Sequence, residues 1–236
     1  VVVGLAGCDR GSTVHRGSQP AVLAGADLPA LVGTAPDEIV AFRHTRPGGT
    51  STWTQIPVQV DERAVVPFGT QPGSNGTAGT TGTVYGNGSG GPTAIQYTDP
   101  DTWVGADPDP TFDADDELVF MISDAGGQPE AGEESEPPGV VPGSGVAVRI
   151  DDPQTSGATG WVYLFESGGG LDPSAGRDYV DYDFNLTSGS YKSTYRRAAG
   201  PNPETSVVTT RSYRIDYTDR WYEVGWRLQS PNGLGP

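Results

Sequence analysis

The chain has 236 residues, enough to bury a sizeable core as one large all-β domain or two smaller ones. A formal net charge of −16 excludes a nucleic-acid partner, because such binding depends on Lys and Arg contacts to phosphates, and it disfavours direct attraction to an anionic membrane. The 35 glycines and 21 prolines predict short strands joined by turn-rich loops, and the single cysteine excludes an internal disulfide.

The first twelve residues, VVVGLAGCDRGS, are apolar and rich in small residues up to Cys8. The stretch Leu5-Ala6-Gly7-Cys8 resembles the lipobox of bacterial lipoproteins, in which an apolar residue and two small residues precede a cysteine. The resemblance implies that Cys8 carries lipid, that the mature chain begins there, and that this lipid holds the protein in the membrane at the extracellular face of the bacterial cell envelope. Residues 1–22 are therefore predicted to be a truncated lipoprotein signal and a polar tether.

Residues 23–236 are predicted to form a β-rich extracellular region. After PDEIVAFRH (36–44), the stretch WTQIPVQVDER (53–63) alternates with a period of two, as a strand with one buried face requires. Pro57 lacks an N–H group, so this strand is expected at a sheet edge or at a bulge. The nearly continuous apolar run ELVFMIS (117–123) is typical of a strand buried on both faces.

Further along the chain, GVAVRIDDP (145–153) and GWVYLFES (160–167) predict a hairpin with a longer loop. DYVDYDFN (178–185) and residues 206–230 supply the remaining strands. Residues 69–93 and 124–145 are rich in Gly and Pro and are predicted to be irregular and exposed. The fold class is therefore mainly β, either a β-sandwich or two linked antiparallel sheets with long Gly/Pro-rich loops. A division into two sub-domains near residues 124–145 is an alternative to one domain.

The stretch DPDPTFDADDELVFM (107–121) concentrates six acidic residues: Asp107, Asp109, Asp113, Asp115, Asp116 and Glu117. One interpretation is a Ca²⁺ site, because calcium takes six to eight oxygen ligands. It would not be an EF-hand, since Phe112 and Leu118 stand where that loop needs Gly and Glu. The other interpretations are a carboxylate pair of a glycoside hydrolase and a solvated loop that keeps the following strand soluble.

Other catalytic patterns are weak in this sequence. His15 and His44 are the only histidines, and the chain lacks the G-x-S-x-G motif of a nucleophile elbow. Trp221 and Trp226 stand beside arginines and either stack on a sugar or pack in a core.

The segments WTQIPVQVDER and FDADDELVFM are similar to those of uncharacterised secreted bacterial proteins, which implies an extracellular β-rich protein. Two functions stay open. One is a surface-anchored binding or structural module, with or without calcium, whose partner is a glycan or another surface protein. The other is a fragment of an extracellular carbohydrate-active enzyme that uses acidic residues.

Overall fold

A computed structural model describes residues 11–14, 16–67, 71–72, 81–82, 93–98, 100, 105–130, 135–185, 205–218 and 222–228. The protein is mainly β, and its antiparallel sheets stay open in a β-sandwich-like arrangement, as the sequence predicted. Helical structure in the described residues is limited to short 3-10 turns. The strands are β1 (Pro20–Ala24), β2 (Ile39–Thr45), β3 (Thr52–Ile56), β4 (Gln59–Asp61), β5 (Arg63–Pro67), β6 (Gln71–Pro72), β7 (Thr81–Gly82), β8 (Thr93–Tyr97), β9 (Glu117–Met121), β10 (Val146–Asp151), β11 (Thr159–Glu166), β12 (Val180–Asp183), β13 (Val207–Thr210), β14 (Tyr213–Thr218) and β15 (Tyr222–Leu228).

The chain divides into two compact units. The first unit contains Val1–Glu62 and Asp109–Arg177, and the second contains Arg63–Pro108 and Asp178–Pro236. Residues 124–145, where the sequence suggested a division, lie inside the first unit.

Two antiparallel sheets form the first unit, with strand orders β1-β9-β4 and β10-β11-β2-β3. Alternate residues of the strands contribute to the main apolar core, and the opposite faces of β2 and β11 contribute Val40, Phe42, Tyr163 and Phe165 to a second cluster, as a period of two requires. The core contains the buried residues Leu28, Leu31, Ile39, Ala41, Ile56, Val58, Phe112, Leu118, Phe120, Ala125, Val162 and Leu164. The predicted β10–β11 hairpin is confirmed, with Val146 opposite Leu164 and Asp151 opposite Thr159.

Two strand predictions need correction. The stretch WTQIPVQVDER forms two strands, β3 and β4, which are edge strands of different sheets. The break falls at Pro57, which has no N–H to donate, and at Val58, whose N–H donates to the Pro173 carbonyl at 3.0 Å. The predicted edge position is therefore confirmed, whereas the prediction of one continuous strand is wrong. Strand β9 buries Leu118 and Phe120 on one face only, whereas its other residues are partly exposed.

The prediction that residues 124–145 are irregular and exposed is wrong for their first part, since residues 124–127 are buried. Gly126 exchanges two backbone hydrogen bonds with Trp161 of β11, and the Gly127 N–H donates to the His44 carbonyl of β2 at 2.8 Å. Residues 126 and 127 therefore pair with β11 and β2 just beyond the point where the direct pairing of these two strands ends. A Cβ atom at Gly126 would lie 2.2 Å from the His44 oxygen, so only glycine fits this approach.

The described part of the N-terminal segment, residues 11–14 and 16–22, packs against the first unit. Thr13 pairs with Thr159, its N–H donating to the Thr159 carbonyl at 2.9 Å. Val14 is buried, and β1 begins at Pro20 and pairs with β9 along its whole length. Residues 1–10 lie outside the described part of the chain.

In the second unit, the largest sheet has the strand order β12-β13-β14-β15. Strands β5 and β8 form a two-stranded ribbon, and β6 and β7 form another within the predicted irregular stretch 69–93. Most of that stretch lies outside the described residues, so the prediction of irregular, exposed structure there stays open.

Candidate functional site

The acidic stretch is attached to the core of the first unit through Phe112, whose side chain is completely buried. The Phe112 N–H donates to the Thr34 carbonyl at 2.9 Å, and its own carbonyl accepts from the Gly33 N–H at 2.8 Å. Gly25 lies against the same loop, and its N–H donates to the Asp116 carbonyl at 2.9 Å. A Cβ at Gly25 would lie 1.7 Å from the Asp113 carbonyl oxygen, so only glycine allows the two backbones to approach this closely.

Three of the six carboxylates stabilise the conformation of the loop by accepting hydrogen bonds from other residues of the loop. Asp116 is 1% exposed, and its Oδ2 accepts from the Asp113 N–H at 2.8 Å. Asp113 Oδ1 accepts from the Asp115 N–H at 2.9 Å, and Asp109 Oδ1 accepts from the Thr111 hydroxyl at 2.8 Å. Aspartate oxygens that accept from a backbone N–H two residues on stabilise turns in this way.

The carboxyl groups of Asp113 and Asp115 also lie close together. The hydrogen bond between these two side chains, followed by partial burial and the Asp113 charge, raises the pKa of Asp115 above its ordinary value of 3.8. Glu117 begins β9 and stands opposite Ala24, and Asp107 belongs to the second unit. Within the described residues, no group of three or more His, Cys, Asp or Glu side chains is arranged to hold a metal ion. Calcium binding here stays a prediction.

A second feature of the first unit was missed by the sequence reasoning: an aromatic surface on the face of β11, β2 and β3 that points away from the main core. We define the aromatic surface as the partly exposed Trp53 and Trp161 together with the buried His44 and Tyr163 that they contact; Tyr163 also belongs to the second apolar cluster. Trp53 meets Tyr163 edge-on at a ring-centroid distance of 5.0 Å, and Trp161 stacks on Tyr163 at 6.4 Å with an interplanar angle of 17°. Both tryptophans remain partly exposed. The alternation in GWVYLFES was the available signal, because it places Trp161, Tyr163 and Phe165 on one face.

Polar atoms of the aromatic surface differ in their partners. The Trp53 indole N–H donates to the Ser135 carbonyl at 2.6 Å, and His44 Nε2 lies 2.8 Å from the Ser51 hydroxyl. The Tyr163 hydroxyl is buried, and no described residue is its hydrogen-bond partner. This burial raises the pKa of Tyr163 to about 12, because the phenolate would lose its hydration.

The remaining predicted site residues are Cys8, Trp221 and Trp226. Cys8 and Trp221 lie outside the described residues, and Trp226 lies in β15 opposite Ile215 of β14. In the part of the chain that the structure describes, no helix has the length and apolar character to cross a membrane. No protein-family model, curated protein or solved structure matches the chain.

Proposed function

We propose that this protein is an extracellular binding or structural module, held at the surface of a bacterial cell by lipid on Cys8. The observation that supports a non-catalytic role is the use of the acidic side chains. Asp109, Asp113 and Asp116 accept hydrogen bonds within their own loop, which is docked on the core through buried Phe112. These carboxylates have a structural role in the loop, and this role does not require a substrate.

The lipid attachment is tested by expressing the complete gene in a bacterium with labelled fatty acid. The protein should incorporate the label and sediment with membranes, whereas Cys8→Ser should lose the label and leave the membrane fraction. Ser12→Ala keeps Cys8 and serves as the matched control, which should fractionate as the wild type does. Equal fractionation and labelling of wild type and Cys8→Ser would contradict the proposal.

The aromatic surface supports a binding role, because partly exposed tryptophans stack well on sugar rings or on apolar protein surfaces. The test is retention on insoluble cell-wall polysaccharide and on whole cells, comparing wild type with Trp161→Ala. Tyr182→Ala removes an exposed aromatic residue from the second unit and is the control. Binding that Trp161→Ala weakens and Tyr182→Ala does not would support this surface. Equal effects of the two substitutions would contradict it.

The carbohydrate-active enzyme is the second candidate. Glycoside hydrolases use one protonated and one ionised carboxyl group, and the pKa of Asp115 is raised beside Asp113; however, the two catalytic groups of such enzymes lie about 5–10 Å apart, whereas Asp113 and Asp115 share a hydrogen bond, so the spacing of this pair disfavours that chemistry. If the protein is such an enzyme, it should release reducing ends from a polysaccharide, and Asp115→Asn and Asp113→Asn should each abolish this release. Activity that both variants retain would exclude this pair from the chemistry.

A further inference from the structure

The N-terminal segment joins the first unit at one end of the β10–β11 hairpin. Thr13 donates through its N–H to the Thr159 carbonyl and accepts the Thr159 N–H on its hydroxyl, both at 2.9 Å. Thr159 is the first residue of β11, directly after the turn. Ser12 lies against Gly160, where a Cβ would come within 2.7 Å of the Ser12 hydroxyl oxygen. The chain therefore enters the folded unit beside this turn.

Asp152 fixes the same segment to the turn through its side chain. Its Oδ1 accepts from Arg16 Nε and from the Gln154 N–H, each at 2.9 Å, and Asp152 is 9% exposed. The Gln154 N–H and then the Arg16 guanidinium hold the pKa of Asp152 below its ordinary value, against the opposing effect of burial. One carboxylate thus connects the N-terminal segment with the turn, which keeps the entry point in place at neutral pH.

Only Asp9, Arg10 and Gly11 separate Cys8 from Ser12. Four extended residues span at most about 14 Å, so a lipid on Cys8 would hold Ser12 within that distance of the membrane interface. A flexible tether of twenty residues would instead leave the unit free to rotate. From the short separation and the docked segment we propose that the turn of residues 152–158, called the hairpin turn below, faces the membrane surface. This inference rests on the proposed lipidation of Cys8.

The charge of the hairpin turn fits this orientation. Residues 153–157 are Pro, Gln, Thr, Ser and Gly, all of them exposed and none of them charged. The two flanking aspartates form ion pairs, Asp152 with Arg16 at 2.9 Å and Asp151 with Arg149 at 2.8 Å. Anionic lipid headgroups repel acidic side chains, and this chain has a net charge of −16. A neutral turn beside the lipid-bearing residue can approach such headgroups without that repulsion.

The experiment measures which end of the hairpin is near the bilayer. Cys8 is the only natural cysteine and would be blocked by lipid, so one introduced cysteine can carry a fluorescent donor. The lipidated full chain carries Gln154→Cys in the hairpin turn or Pro142→Cys, an exposed position before the far end of β10. Six residues of β10 span about 20 Å, which separates the two labels. Both proteins are reconstituted in vesicles of phosphatidylcholine and phosphatidylglycerol with an acceptor on the headgroups.

We expect several-fold more energy transfer from Gln154→Cys than from Pro142→Cys. Inserting about twenty Gly and Ser residues after Arg10 should abolish the difference while the protein stays on the vesicles, because such a linker spans roughly 25 Å and permits rotation. Equal transfer from both labels in vesicle-bound protein would overturn the orientation and leave the lipid attachment intact. Protein that carries no lipid and stays off the vesicles would overturn both proposals.

Discussion

Replacing Phe112 with alanine tests whether the acidic loop is held on the core as the hydrogen bonds indicate. The Phe112 side chain is 0% exposed, so its removal forfeits the full transfer free energy of an aromatic ring and leaves a cavity beside Gly25. Burial of such a side chain contributes about 2–3 kcal/mol, and an incompletely collapsed cavity adds about 1–2 kcal/mol. We expect Phe112→Ala to lower the free energy of unfolding by about 3–5 kcal/mol.

Urea denaturation followed by tryptophan fluorescence measures this loss, because Trp53 and Trp161 lie in the first unit. The melting temperature should fall by about 10 °C, at about 3 °C per kcal/mol for a chain of this size. Phe184→Ala is the matched control: Phe184 is 42% exposed, and the same substitution there should cost less than about 1 kcal/mol. A loss for Phe112→Ala no greater than that of the control would refute the buried attachment.

Three further outcomes are expected. Because the pKa of Asp115 is raised, its protonated form stabilises the fold at acidic pH, and this contribution is lost as the pH rises through the folded-state pKa. Asp115→Asn should therefore have a higher melting temperature than wild type at pH 7. The difference between the two melting temperatures should disappear at acidic pH. If the acidic loop holds calcium, the melting temperature in millimolar calcium should rise saturably above its value in chelator at fixed ionic strength. The free energy of unfolding should increase by about 2.7 kcal/mol at a hundredfold excess of calcium over Kd, and the double variant Asp113→Asn with Asp115→Asn should abolish the rise. An unchanged melting temperature would indicate a solvated acidic turn. Tyr163→Phe removes a buried hydroxyl and should change stability by less than about 1 kcal/mol, and a larger loss in chemical denaturation would reveal a hydrogen-bond partner for it.

The period-two patterns predicted the strands better than they predicted the sheets. The β10–β11 hairpin could be read from the sequence because both strands and their turn are local. Strand β1 could not, because its five residues, PAVLA, gain their partner in β9 almost a hundred residues later. Pro57 was recognised as incompatible with a central strand, yet nothing local indicated that the chain changes sheets there.

Composition misled the interpretation of one glycine-rich region. Gly126 and Gly127 stand in a stretch whose Gly and Pro content predicts an exposed loop, but here the missing side chains allow the backbone to pair with β2 and β11. Gly25 has the same role beside Asp113. A glycine that permits close packing and a glycine that permits flexibility are identical in a sequence, and only the neighbouring backbone distinguishes them.

The hydrogen bonds of the acidic loop explain where its oxygens lie but not why they are charged. An amide oxygen of asparagine could also accept the Asp113 and Asp115 N–H groups, less strongly than a carboxylate does, and it would avoid the repulsion between Asp113 and Asp115. The burial of Asp116 adds a desolvation cost, and the hydrogen bond that its carboxylate accepts opposes this cost. Two roles for the negative charge beyond this backbone geometry, cation binding and solubility, make different predictions. A bound cation would relieve the repulsion and restore stability, whereas a purely solubilising role would leave Asp115→Asn more stable than wild type with or without calcium. The melting temperature of Asp115→Asn relative to wild type, measured in calcium and in chelator, separates these two roles because only cation binding reverses its sign.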